Sequence, residues 1–151
     1  MKQSSTTAIE ITIEIANLQC HLPLDRRLVR KAVRRVLRAA GVRKGRISVA
    51  VVDDGQIARL NWQYLHHRGP ADVLSFVLDR SDGLEGEVVV GAQTARRSAP
   101  RFGWSAHDEL LLYVIHGTLH LVGYDDTSPT LRAKMQEQEA LVLRQLGITR
   151  K

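Results

Sequence analysis

Two histidines four residues apart, His116 and His120, open a run that reads His-Gly-Thr-Leu-His-Leu-Val-Gly-Tyr-Asp-Asp and ends at Asp126. Residues at that spacing project from one face of a helix, so the pair can aim two imidazole nitrogens at a single point. Gly123 can take a positive φ and end the helix, after which the chain can turn back and present a third ligand, Asp125 or Asp126, from the loop. Two imidazoles and a carboxylate suit one zinc ion in a three-ligand site whose fourth position is left to water. Zinc lowers the pKa of such a water toward neutrality, so the expected chemistry is hydrolysis at a carbonyl or phosphoryl centre. Zinc peptidases with H-E-x-x-H use the Glu beside the first histidine as general base, but Gly117 stands at that position. Peptide hydrolysis is therefore the weaker expectation. The bland alternative is a pair of ordinary helix histidines followed by an Asx turn, and it leaves the glycine stop and the adjacent carboxylates as coincidence.

The same residues carry a resemblance. The run matches ten of the eleven positions, two of them unspecified, of H-G-x-L-H-L-x-G-Y-D-H, the signature of the YbeY family. These are bacterial single-domain proteins regarded as zinc-dependent endoribonucleases acting in ribosomal RNA maturation. Leu60-Asn61-Trp62-Gln63-Tyr64 followed by Ala71-Asp72-Val73-Leu74-Ser75-Phe76 is similar to the family's L-N-x-x-Y-R…T-D-V-L-S-F-P segment, and Gly86 to Val90 to its G-D-I-V-I strand. The resemblance implies a small mixed sheet flanked by helices, with the metal held by His116, His120 and Asp126. It also implies ribosomal RNA and the small ribosomal subunit as partners, with ribosome-assembly proteins beside them. Three departures from the pattern stand out. Asp126 replaces the third histidine, and this anionic ligand is expected to make a bound water less acidic. Leu65 replaces an arginine that would pair with phosphate, leaving Arg68, His66 or His67 to supply that charge. Val77 replaces a proline.

Elements that position these residues can be read along the chain. Ile9 to Leu18 alternates apolar and polar residues, as a half-buried strand does. Asp25 opens a helix whose apolar positions recur at helical spacing up to the stop at Gly41. Ile47 to Val52 is apolar enough for a central strand. Asp53 or Asp54 caps a helix running to about His66, and Gly69-Pro70 breaks it. Val73 to Leu78 and Glu87 to Val90 are strands expected to pair antiparallel through a turn at Ser81-Asp82-Gly83. A short helix over Gln93 to Ser98 ends at Pro100. Ser105 caps the helix that carries both histidines, with Leu110, Leu111, Val114, Ile115, Thr118, Leu119 and Val122 as its buried stripe. Pro129 starts the last helix, Thr130 to Leu146, before Gly147. Strands and helices in this order predict an α+β domain with a four-stranded mixed sheet, not a doubly wound parallel one.

The length of 151 residues, 44% of them hydrophobic, suits one domain over residues 1–151, with residues 1–7 a flexible polar tail. The single cysteine, Cys20, excludes an intramolecular disulfide framework, fits a reducing compartment and is expected to pack. The polar N-terminus lacks a signal core, and no stretch approaches about 18 apolar residues, so the expected location is the cytoplasm, away from membranes. Net charge is +6, and ten basic residues lie between Arg26 and Arg46 with no acidic one among them. On the first helix Arg27, Arg30, Lys31, Arg34, Arg35 and Arg38 interleave with apolar positions, so one face can pack while the other meets a polyanion. Arg68 joins them as an RNA-binding candidate. Trp62 or Tyr64 is expected to be a core aromatic, though beside His66, His67 and Arg68 they can also stack on bases. His107 and Glu109 are candidates to support the metal site. Three readings follow: a metal-dependent ribonuclease, a ribosome or RNA-binding factor with weak or lost catalysis, and a metallopeptidase-like hydrolase.

Overall fold

A computed structural model describes residues 8–149 of the protein, so the tail expected over residues 1–7 lies outside the described residues. The elements in order are β1 (Glu10–Asn17), α1 (Arg26–Ala39), β2 (Lys44–Val52), α2 (Asp54–Leu65), β3 (Val73–Asp79), β4 (Leu84–Gly91), α3 (Ala92–Ser98), α4 (Ala106–Leu121) and α5 (Pro129–Gln145). A 3-10 turn over Ala99–Phe102 follows α3. The strands form one sheet in the order β1-β2-β4-β3. β1, β2 and β4 run parallel, and β3 pairs antiparallel with β4, giving the expected mixed four-stranded α+β fold.

Alternation along β4 explains the two layers. Val88 and Val90 point into the larger core, which α1, α4 and α5 share, while Val89 joins Val52, Ile57 and Leu74 beneath α2. α1 reaches that core with Val29, Ala32, Val33, Val36 and Leu37, and every one of its basic residues lies outside this buried set. Its side-chain cap is Asp25, whose carboxylate accepts from Leu28 N–H. Asp53 caps α2 with a reciprocal capping box through Gln56, so Asp54 is left to pair with Arg97 at 2.8 Å. No helix among the described residues is long and apolar enough to cross a membrane.

α4 lies at the centre of the molecule. Ser105 caps its first turn by accepting from Asp108 N–H at 3.1 Å. Leu110, Leu111, Val114, Ile115 and Leu121 are fully buried, so the helix touches protein around most of its circumference. It approaches the sheet tightly at Gly117, where a Cβ would stand 2.6 Å from Val88 Cγ1, 2.8 Å from Val73 Cγ2 and 2.9 Å from Ser75 Oγ. The Ser75 hydroxyl donates to the Gly117 carbonyl at 2.9 Å, tying the helix to the edge strand β3 at the same level.

Three expectations are corrected. Trp62 and Tyr64 are 51% and 56% exposed, because the C-terminal turns of α2 run past the small second core. Cys20 is exposed, since it lies in the bend between β1 and α1. His107 does not reach the histidine pair; its Nε2 accepts from Asp25 N–H at 2.9 Å and joins the start of α4 to the start of α1. Burial keeps its pKa below the usual imidazole value, consistent with that acceptor role.

Gly117→Ala sets two effects against each other. Alanine gains about 1 kcal/mol of helix propensity, but three sub-3.0 Å contacts with β-branched and hydrogen-bonded neighbours cost about 1–3 kcal/mol of overpacking. The net result should be a less stable protein, read as a lower Tm in thermal unfolding, and an unchanged or raised Tm would show that α4 is free to shift.

Candidate metal centre

His116 and His120 project from one side of α4, each with a little over a quarter of its side chain exposed. Their Nε2 atoms are 3.2 Å apart. Asp126 Oδ2 stands 3.5 Å from the first and 3.7 Å from the second. A tetrahedral ion with ligands about 2.0–2.1 Å away needs neighbouring donors about 3.3–3.4 Å apart. The observed triangle is within a few tenths of an ångström of that, so these three side chains could hold a metal ion, as their convergence suggests.

The choice between the two aspartates is made by the loop. Gly123, at φ 106°, ends α4 in a conformation that favours glycine. Its N–H donates to His120 O, and Tyr124 N–H reaches Leu119 O. The Asp125 carboxylate then accepts from Asp126 N–H at 2.7 Å and from the Thr127 hydroxyl at 3.0 Å. Asp125 therefore holds the turn, and Asp126 is the carboxylate that faces the imidazoles.

The rings are held from behind. Glu139 on α5 meets His116 Nδ1 at 2.5 Å, and the Tyr124 carbonyl lies 3.1 Å from His120 Nδ1. With a proton on each Nδ1, both Nε2 lone pairs point at one another and at the Asp126 carboxylate, an arrangement that a bound cation would satisfy. Burial acts to lower the His116 pKa, yet the hydrogen bond and charge of Glu139, with Asp126 and Asp72 adding, outweigh it and leave it raised. Without a metal, the protonated His116–Glu139 pair thus stabilises the fold at low pH, and that contribution fades as pH rises through the raised value.

Glu139 is the residue that spacing along the metal run did not reveal. It lies on α5 among Met135, Val142 and Leu143, which are buried at the same helical period. A carboxylate on an otherwise apolar stripe was the available signal. Of the two support candidates, Glu109 is buried and accepts from Trp104 Nε1 at 2.8 Å. It borders a cavity of about 410 Å³ that also touches Asp72, Arg101, Tyr113, His116 and Glu139. Burial pushes the Tyr113 phenol well above its usual range, with Glu109 adding, so it stays a proton donor. The basic candidates lie elsewhere: Arg27, Lys31, Arg34, Arg35 and Arg38 border a shared shallow depression on α1, Arg30 is partly buried, and Arg68 lies over the Trp62 ring. None of them borders the His116 cavity.

Glu139→Gln should weaken metal affinity by about 10- to 100-fold near pH 8, as removal of a carboxylate behind a ligating histidine does. It should also lower the pH at which metal affinity begins to fall on acidification. Only neutral imidazole binds a metal, so protons compete as pH falls through the raised His116 pKa; removing the Glu139 charge lowers that pKa and delays the competition. Metal titrations of both proteins across about pH 5–8 check the two opposed effects.

Comparison with known proteins places this geometry in context. The family model described as Endoribonuclease YbeY matches residues 11–147. Endoribonuclease YbeY of Carboxydothermus hydrogenoformans is 37% identical over 142 residues, spanning 91% of this chain and 99% of that protein. The same-named protein of Rhodopirellula baltica is 41% identical over 111 residues, which cover 72% of this chain but 57% of the longer relative. The solution structure of TM1509 from Thermotoga maritima superposes with a TM-score of 0.61 at 26% identity, covering 89% of this chain and 91% of the other. With a match running from the start of β1 to just past the end of α5, the chain belongs to the YbeY family.

Proposed function

We propose that this chain is a zinc-dependent endoribonuclease that acts in the cytoplasm on ribosomal RNA, in its processing and in ribosome maturation or quality control. The observation that carries the reading is the donor triangle of His116, His120 and Asp126, whose sides of 3.2, 3.5 and 3.7 Å fit a tetrahedral ion. A zinc ion held there supplies Lewis acidity and a water whose pKa is brought toward neutrality. The residues do the rest of the positioning. Glu139 and the Tyr124 carbonyl fix the tautomers so that both Nε2 atoms face inward. Asp126 adds negative charge to the site, which favours metal retention over acidity of the water.

The basic face of α1 gives the protein a surface suited to a phosphate backbone, and the small ribosomal subunit and ribosome-assembly proteins are the partners this reading names. The α1 basic residues border none of the cavity beside His116, so on this reading α1 binds RNA away from the cleaved bond. A peptidase reading is disfavoured by space as well as by sequence. The position where a zinc peptidase carries its glutamate is Gly117, and even one added carbon there meets Val88, Val73 and Ser75.

Cleavage of ribosomal RNA fragments by the purified protein should stop with a chelator and return with zinc, and His120→Ala should lower the rate by at least about 100-fold, as removal of a metal ligand does. Persistence of full activity in both tests would assign the cleavage to something other than this site. Arg34→Ala with Arg38→Ala should weaken RNA binding and flatten its salt dependence by about one ion for each phosphate that is no longer neutralised. An unchanged salt slope in filter binding would detach α1 from RNA.

A further inference from the structure

The end of α2 and the loop after it form a feature that the metal site does not use. Trp62, Tyr64, Leu65, His66, His67 and Arg68 are all exposed, and no acidic residue lies between Asp54 and Asp72. The Arg68 guanidinium lies over the Trp62 ring, 5.4 Å from its centroid, and His66 meets the ring edge-on at 5.6 Å. The loop is held in place. His66 adopts φ 56°, the left-handed region, in which it is alone among the non-glycine described residues. The buried Asn61 amide donates to Gly69 O at 3.0 Å, closing the loop against its own helix. A half-exposed indole, a guanidinium fixed at its face and a strained backbone held by a buried side chain together make a preorganised aromatic and cationic surface.

We propose that Trp62 and Arg68 form a stacking platform for an unpaired nucleobase, with Arg68 also meeting the adjoining phosphate. The inference deepens the ribonuclease reading and rests on it for the RNA. Charge selects the occupant. An apolar protein partner would gain from Trp62, Tyr64 and Leu65 but would leave Arg68 without a counter-charge, whereas a single strand supplies both a π-face and anions. Position agrees. Asp72, four residues beyond Arg68, borders the cavity that holds His116, and four residues span at most about 14 Å. A strand stacked on Trp62 therefore needs only a few nucleotides to reach the Asp72 border of that cavity.

The test uses the full chain with chelator present, so that binding is read without cleavage, and compares a single-stranded oligoribonucleotide with a duplex of the same length. The single strand should quench Trp62 emission. Trp62→Ala should weaken its binding by about 5- to 150-fold, as removal of one stacking partner does, and should change duplex binding by less than about 2-fold. Trp62→Phe should recover most of the affinity, and Arg68→Ala should cost single-strand affinity with the ring still in place. Tm values equal to wild type confirm that exposed positions were altered without unfolding. Unchanged single-strand affinity in Trp62→Ala, or an equal weakening for duplex, overturns the platform. So does sedimentation showing that Trp62→Ala only abolishes self-association. If zinc-dependent cleavage persists while the platform fails, the ribonuclease reading stands alone; if Trp62-dependent binding is found without any cleavage, the platform stands and the enzyme reading falls.

Discussion

A backbone contact sets the position of the two histidines, because at Gly117 α4 lies so close to β3 and β4 that only a hydrogen atom fits as its side chain. Gly117 sits between Val88, Val73 and Ser75 at distances that exclude a Cβ, and close packing transmits any shift there directly to neighbouring groups. His116 is the preceding residue and His120 lies one turn on. Both imidazoles therefore inherit their position from a helix clamped against the sheet, and the hydrogen bond from Ser75 to the Gly117 carbonyl holds the same level.

The metal centre illustrates how a low-dielectric surrounding is turned to use. Glu139 is almost removed from solvent on α5, where an unpaired carboxylate would be costly. His116 Nδ1 supplies its partner, so the carboxylate is satisfied and the imidazole is locked in one tautomer at the same time. His120 obtains the equivalent restraint from a main-chain carbonyl of the loop that carries Asp126. Three segments, α4, its trailing loop and α5, thus converge on one point. Loosened packing between α4 and α5 would free the ligand ring before it removed any ligand.

Charge is sorted by region. The cavity beside His116 gathers Asp72, Glu109 and Glu139, with Arg101 as the cation at its border. The cations concentrate on α1 and at the end of α2. An acidic interior suits a divalent ion, and basic outer surfaces suit a polyanion that must approach without displacing it. The anionic Asp126 extends the acidic side of this division in a position where the family pattern has an uncharged ligand.

The order of strands and helices, the caps at Asp25, Ser105 and the first residues of α5, and the antiparallel β3–β4 pair were legible in sequence, because each depends on residues within a few positions of one another. So was the histidine spacing, which is a property of one helix. The resemblance named Asp126, but only the folded loop supplied the reason, since Asp125 is the one bound to the backbone of the turn. Glu139 stood out as a carboxylate on an apolar stripe, but its pairing with His116 was out of reach because the two lie 23 residues apart on different helices, and local spacing carries no information about which helices pack together. The exposure of Trp62 was equally non-local: an aromatic at the end of an amphipathic helix is buried only if the neighbouring layer extends that far, and the core beneath α2 stops short of it. What the chain determined alone was the inventory of donors and the periodicity of each element; which donors share a site was decided by the packing of α4 and α5 on one face of the sheet.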